Sequence, residues 1–371
     1  MLTNKLKRYT LLCLLLAINW SVNAQESFRI YGTVTDGSTG ETLPQASVFM
    51  AETTYGVVTD PEGNFELIVP TEGTYDLIVR FVGFETYGLN LRLIDDKEIK
   101  LDVALQPEDR DLGSFTLMAQ KDAQWRQNLE TFKRLFLGTS KNADRSKILN
   151  EEAIDFYLDK KNNILYGFAS EAIRIENKAL GYDIEYFLEE FYLDNRNNLT
   201  TYIGFTVFNE MEPRNNRQLR KWEEERTLAY KGSAHHFFVS LFSGIWEREG
   251  YQVQQAKDIT SLGRVLDPSI VDLSKFMTYK GNGSAKSLKF SDFLYITYLN
   301  ERESQRYKEY QGKFSGKRQE QVSWIELNPQ STEIVFDKAG YIYNPLSYYT
   351  FGYWGFEKVA DLVPINYRPR Q

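Results

Sequence analysis

The chain has 371 residues, a net charge of −7, one cysteine and two histidines, and 24 each of tyrosine and phenylalanine. An acidic surface repels a phosphate backbone, which excludes nucleic acid as a partner. A single cysteine excludes a disulfide framework and a thiolate metal cluster, and no cofactor is expected.

The first element is a leader. Lys5, Lys7 and Arg8 precede an apolar run from Leu11 to Ile18, and "SVNAQ" follows with Val22 and Ala24 at the selective positions of an A-x-A-like site. This pattern predicts a secretory signal peptide over residues 1–24, cut after Ala24. The run is short for a membrane span. Leu12 stands before Cys13 where a lipid-attachment site wants a small residue, so no lipid anchor is expected. Cleavage removes the only cysteine and three cations, which takes the mature charge from −7 to about −10. The roughly 347 remaining residues are enough to bury a sizeable core without disulfides. No later apolar run is long enough for a transmembrane helix.

Residues 26–107 read as a β-sandwich. Ile30, Gly32 and Val34 alternate with polar neighbours, as do Ala46, Val48 and Met50, then Phe65, Leu67 and Val69, then Tyr75, Leu77, Val79 and Phe81. Gly and Pro punctuate these short runs, which is sandwich patterning. Asp60, Glu62 and Asn64 are spaced like the start of a calcium loop. Phe65 and Thr71 occupy the positions that need glycine and glutamate, so a plain hairpin turn is the reading.

The same residues carry a resemblance. G-x-V-x-D at 32–36, L-P-x-A-x-V at 43–48, G-x-x-T-D-x-x-G-x-F at 56–65 and V-G-F at 82–84 resemble the carboxypeptidase-regulatory-like module. The resemblance covers about residues 27–107 and implies a prealbumin-like sandwich. It implies no peptidase activity, since such modules stand beside metallocarboxypeptidase domains and at the N-termini of exported bacterial proteins. It also implies a periplasmic or outer-membrane-associated location in a Gram-negative cell.

"QPEDRDLG" predicts a linker near 106–113, ahead of an α+β domain over 114–371 with an antiparallel sheet. Trp125, Leu129, Phe132 and Phe136 form one helical stripe that Gly138 ends. From Ala153 the period becomes two. Ile154, Phe156 and Leu158, the turn "KKNN", and Ile164, Tyr166 and Phe168 make a hairpin; the strands around "NRNN" make a second. "NRQLRKWEEERTLAYKGS" predicts a helix broken at Gly232, and Ser233 caps the next segment, "AHHFFVSLFSGIW". "NERESQRYKEYQGKFSGKRQEQ" reads as a charged, solvated stretch, and strands with a hairpin at Asp337–Gly340 follow. "LGY" (180–182), "YKGS" (230–233) and "GYWGFEKVADLVP" (352–364) resemble the uncharacterised region that follows this module in exported bacterial proteins, a resemblance that brings no known activity.

The candidate site residues are Ser233, His235, His236 and Arg226. A zinc peptidase needs H-x-x-E and a third histidine, and Phe238 and Val239 stand at the glutamate positions. Adjacent helical residues point about 100° apart, so the pair does not chelate one ion; one histidine with distant carboxylates remains open. Ser233 with His236 as base lacks a nucleophile elbow, and Ser233 is explained as a helix cap. Neutral packed imidazoles are expected at a helix N-terminus. Glu189, Glu190, Glu223, Glu224 and Glu225 could supply glycosidase carboxylates, but nothing selects two of them. "YYTFGYWGF" reads as core rather than a stacking platform for sugars. Arg226 and Arg220 flank Trp222 and could recognise an anion; surface pairing with nearby glutamates is simpler. The sequence thus predicts a non-catalytic exported envelope protein that binds a protein partner, a glycan or another extended ligand. The alternative is a hydrolase whose carboxylate or serine site lies unlocated in 114–371.

Overall fold

The computed structural model describes residues 27–108, 121–197, 199–259 and 263–370. The expected leader and most of the expected linker lie outside the described residues.

The N-terminal strands form the expected sandwich. Phe28–Asp36 pairs antiparallel with Asn64–Val69, from Phe28↔Val69 to Thr33↔Asn64, and parallel with Glu98–Lys100 and Val103–Leu105. The facing sheet runs Gly56–Val58, Ser47–Met50, Gly73–Arg80, Tyr87–Leu93. Ile30, Val34, Val48, Phe65, Leu67 and Leu77 meet between the sheets. The Asp60 carboxylate accepts N–H bonds from Glu62 (3.0 Å) and Asn64 (2.7 Å), and Gly63 adopts φ +79°. Asp60 is therefore occupied in holding the turn together, the role a short acid at a turn start usually has.

Residues 121–370 gather around two further cores. Helix α1, Ala123–Phe136, starts at Asp122, whose side chain accepts from the Trp125 N–H. Its stripe packs on a sheet in the order Ile154–Asp159, Ile164–Ala169, Tyr182–Asp194, Ile173–Asn177, Ser146–Ile148, with Leu199–Glu210 also paired to Tyr182–Asp194. Phe132 meets Phe191 and Phe156 at ring-centroid distances of 4.7 and 5.9 Å. Two helices follow: α2, Asn216–Tyr230, and α3, Ala234–Phe242. Apolar residues of α3, Phe237, Phe238 and Leu241, share the last core with Leu294, Ile296, Ile325 and Phe336. Those residues come from a sheet ordered Gly263–Ile270, Tyr251–Ile259, Phe293–Arg302, Glu320–Leu327, Tyr348–Gly352 and from the small sheet containing Ile334–Asp337.

The stretch from Asn300 to Gln321 meets the expectation of a solvated segment only in part. It contains a short helix, Gln305–Tyr310, that buries Tyr307 and Lys308, and Glu303 just before it is buried as well. Tyr307 packs on Tyr353 and Phe356, and the Lys308 ammonium donates to the Gly316 carbonyl. Residues 311–320 beyond it are exposed, as expected; the buried part depends on long-range contacts that alternation cannot reveal. Among the described residues no helix is long and apolar enough to cross a membrane.

The sandwich is joined to the rest along a seam. Phe49 stacks on Phe187 at 5.0 Å, with Ala51, Ile78 and Val207 around them. The Glu52 N–H donates to Thr206, the Phe208 N–H to Thr53 and the Ile365 N–H to Glu52. Arg80 pairs with Glu189 at 2.7 Å.

Candidate functional site

The three quoted motifs meet around α2. Asn215 caps its start, accepting from Gln218 N–H at 3.0 Å. At its end Lys231 and Gly232 reverse the chain, with Gly232 at φ +77°. A Cβ on Gly232 would lie 2.6 Å from Gln321 Oε1 and 2.8 Å from Tyr298, so both conformation and space demand glycine. The Gly232 carbonyl accepts from Trp354 Nε1 at 2.6 Å, which fastens "YKGS" to "GYWGF". "LGY" closes the cluster from the other side. Trp222 lies where a Cβ on Gly181 would be, and Arg226 donates to the carbonyls of Leu180 (2.7 Å) and Gly181 (2.9 Å).

Arg226 corrects the expectation of surface pairing. It is 5% exposed, its guanidinium lies 3.9 Å over the Tyr182 ring, and it reaches Glu210 at 3.0 Å. Its fork is filled by main-chain acceptors, which suits the planar donor geometry of arginine. The nearby glutamates pair elsewhere: Glu223 with Arg370, Glu225 with Lys141 and Glu189 with Arg80.

Ser233 caps α3. Its hydroxyl accepts from His236 N–H at 3.1 Å and donates to the Tyr230 carbonyl at 2.7 Å. Its bond to His236 is thus to the backbone and not to the imidazole. His236 Nδ1 accepts from Gly232 N–H at 3.2 Å and faces the Tyr251 hydroxyl at 2.9 Å. A backbone N–H can only donate, so the proton sits on Nε2, which faces Glu249 at 3.4 Å. Burial lowers the His236 pKa against the pull of Glu249. His235 Nε2 lies 2.8 Å from the Ala339 carbonyl, which fixes that nitrogen as a donor and leaves Nδ1 buried without a partner. Burial, with Arg368 nearby, takes His235 down to about 3. Both imidazoles are neutral at pH 7, and each contacts the Tyr230 ring. The two rings point to different partners, and no cluster of three metal-ligating side chains occurs among the described residues.

Beside this cluster runs an open groove of about 800 Å³. Leu219, Arg220, Leu228 and Lys231 form one wall, and Tyr367 and Arg368 the other. Leu228 is 55% exposed, and Arg220 has no ion pair or hydrogen bond among the described residues. Glu301 lies at the groove with its pKa pushed up to about 7, chiefly by burial, while the Gln321 amide at 3.1 Å and Lys231 act in the opposite sense. The expectation for "YYTFGYWGF" is met in part. Tyr353, Trp354 and Phe356 are buried, while Phe351 is half-buried and stacks on Trp324 at 5.9 Å. Sequence reasoning missed Trp354, Tyr251 and Glu301 as members of this neighbourhood; the spacing of glycines around Trp354 is the one local signal that pointed there.

No curated protein matches the chain. Among solved structures, it resembles a type II cohesin–X-dockerin complex from Acetivibrio cellulolyticus at 21% identity, covering 24% of this chain and 63% of that one, with a TM-score of 0.20. It resembles catechol 1,2-dioxygenase from Acinetobacter sp. ADP1 at 11% identity, covering 24% and 55%, with a TM-score of 0.19. A protein of unknown function from Bacteroides fragilis is 14% identical over 51% of this chain and 84% of its own, with a TM-score of 0.19. The chain spans less than two thirds of the first two, and likeness at this level shows neither a shared overall fold nor a shared activity. The family model is specific where these are not: residues 30–117 match the CarboxypepD_reg-like domain, and the N-terminal sandwich is a domain of that kind.

Proposed function

We propose that this is a non-catalytic, exported envelope protein that binds a partner through the groove beside α2. One observation carries this reading. The side chains that could have run chemistry, Ser233, His235, His236 and Arg226, are engaged in holding the α2–α3 corner, while the adjacent groove keeps Arg220 and Leu228 open. The groove sets the exposed Leu228 between cations such as Arg220 and Lys231 and acids such as Glu224 and Glu301, which suits a segment that carries both apolar and polar groups. The matched family supports a binding rather than a catalytic role for the sandwich. Export follows from the leader, whose cleavage after Ala24 is checked by the intact mass of protein from the envelope fraction.

The test is affinity capture from solubilised envelopes with the parent and with R220A/K231A, run beside a broad hydrolase substrate panel. The expected outcome is a partner retained by the parent, lost by the variant, and no turnover. Turnover abolished by changing Ser233 or a single acid overturns the reading in favour of a hydrolase.

A further inference from the structure

A cationic loop projects between the short helix Gln305–Tyr310 and the strand Glu320–Leu327. Its sequence over residues 311–319, QGKFSGKRQ, carries Lys313, Lys317 and Arg318 and no acid, in a chain whose net charge is −7. Every residue of the loop is exposed. A Cβ placed on Gly312 or on Gly316 would meet nothing within 4 Å, so the loop stands clear of the body. Phe314 is 77% exposed between the cations, and Tyr310, the last residue of the helix, is 62% exposed.

The ends of the loop are tied down. The Glu303 N–H donates to the Gln319 carbonyl at 2.7 Å, and the Gln319 N–H donates to the Glu303 carboxylate at 3.2 Å. The Lys308 ammonium donates to the Gly316 carbonyl at 2.6 Å, and the Lys313 N–H to the Lys308 carbonyl at 2.7 Å. Gly312 and Gly316 adopt φ +73° and +92°, which turns the chain on both sides of Phe314. Acids close in sequence are engaged: Glu303 is buried under its bond from Gln319, Glu309 lies 3.8 Å from Arg306, and Glu320 pairs in register with Arg302. The side chains of Lys313, Lys317 and Arg318 have no ion pair or hydrogen bond among the described residues. A preformed backbone thus holds three free cations around one exposed aromatic ring.

We propose that this loop docks the protein on an anionic lipid surface, with Phe314 entering the headgroup layer and Lys313, Lys317 and Arg318 among the anionic headgroups. Cations alone would suit any polyanion. The ring between them selects a bilayer, where an apolar group gains by entering the headgroup–acyl boundary while its basic neighbours stay at the charged surface. An acidic polymer in water offers Phe314 no such environment. A stable protein interface buries about 800 Å² per partner around an apolar core, and a nine-residue loop with one large apolar side chain does not supply that core. The acidic remainder of the molecule does not forbid the contact. Charges are screened over about 8 Å at physiological salt, so a projecting loop meets the surface ahead of the body. None of the loop residues lines the groove, so the docking stands whether or not the groove binds a partner.

The experiment is sedimentation of the protein, purified after export, with vesicles of phosphatidylcholine alone or mixed with phosphatidylglycerol. The parent is expected to sediment with the mixed vesicles only. Each cation near such a surface strengthens partitioning about fivefold, so K313Q/K317Q/R318Q should lower the partition coefficient about a hundredfold. F314S should lower it about tenfold, from the loss of buried apolar area. Both variants should melt with the parent, because the exchanged side chains hold no bonds, and R220A/K231A should bind the vesicles as the parent does. No sedimentation with mixed vesicles, equal binding to phosphatidylcholine alone, or binding unchanged in either loop variant overturns the proposal. So does capture by soluble polyglutamate as tight as by the mixed vesicles, which would make the loop a general polyanion site.

Discussion

Replacing Arg226 by alanine isolates what the buried guanidinium does. Its loss leaves the buried Leu180 carbonyl without its arginine donor, at about 1–3 kcal/mol. The Gly181 carbonyl keeps the Met211 N–H and loses one bond, worth about 1 kcal/mol. The stack over Tyr182 adds about 1 kcal/mol. The Glu210 pair adds little, about 0–1 kcal/mol, because Glu210 is 59% exposed and rehydrates. R226A should therefore destabilise by about 3–6 kcal/mol. R226K should lose roughly half as much, because an ammonium still donates to a carbonyl but lacks the planar fork that reaches both and stacks on Tyr182. Urea unfolding followed by tryptophan fluorescence reads this as a lower midpoint at unchanged slope. An R226A variant within about 1 kcal/mol of the parent would refute the reasoning and return Arg226 to the list of groups held ready for a ligand.

Three further outcomes are expected. H235A/H236A should lose about 1–3 kcal/mol from broken buried bonds, with the same metal content as the parent by elemental analysis; stoichiometric zinc that disappears in the variant would contradict this. Glu301 has a folded pKa of about 7 against an ordinary value of 4.5, so the folded state keeps a proton that the unfolded chain releases. Stability from this group is present below about pH 4.5 and is lost as pH rises through 7. E301Q should raise the melting temperature at pH 8 by the equivalent of about 1–2 kcal/mol, allowing for partial exposure, and change little at pH 4; an offset equal at both pH values argues against it. The fragment 26–107 should unfold cooperatively, since its core is internal, yet associate in solution because Phe49 and Ile78 lose their cover. A broad transition would place the boundary elsewhere.

Much of the fold was legible because its signals are local. The sandwich strands carry period-two alternation and turn residues within a few positions of one another, and the α1 stripe and the two hairpins announce themselves in the same way. The strand Ile164–Ala169 shows where this stops. Its sequence ILYGFA is apolar at both parities, and only the ring of Phe191 beside Gly167 determines that Leu165 turns inward and Tyr166 outward. The candidate site was legible as a cap and a pair of packed histidines. Its partners were not, because Gly232 meets Trp354 across 122 residues and Arg226 is held by carbonyls, which leave no trace in side-chain spacing.

The seam has a consequence for how the two parts relate. Glu52 adopts φ +61°, a conformation that disfavours any residue with a Cβ by about 1–2 kcal/mol. Its N–H is held by Thr206, and its carbonyl by the amide of Ile365. Main-chain groups recognise position and not residue type, so only proline, which lacks the N–H, removes a donor here by exchange of the Glu52 side chain. The loop's shape and the sandwich's placement are consequently one variable. To reorient the sandwich the molecule must also release the loop from its unusual backbone state, and the domain behaves as a fixed arm held at this loop by three backbone bonds and beside it by the Phe49–Phe187 stack and the Arg80–Glu189 pair.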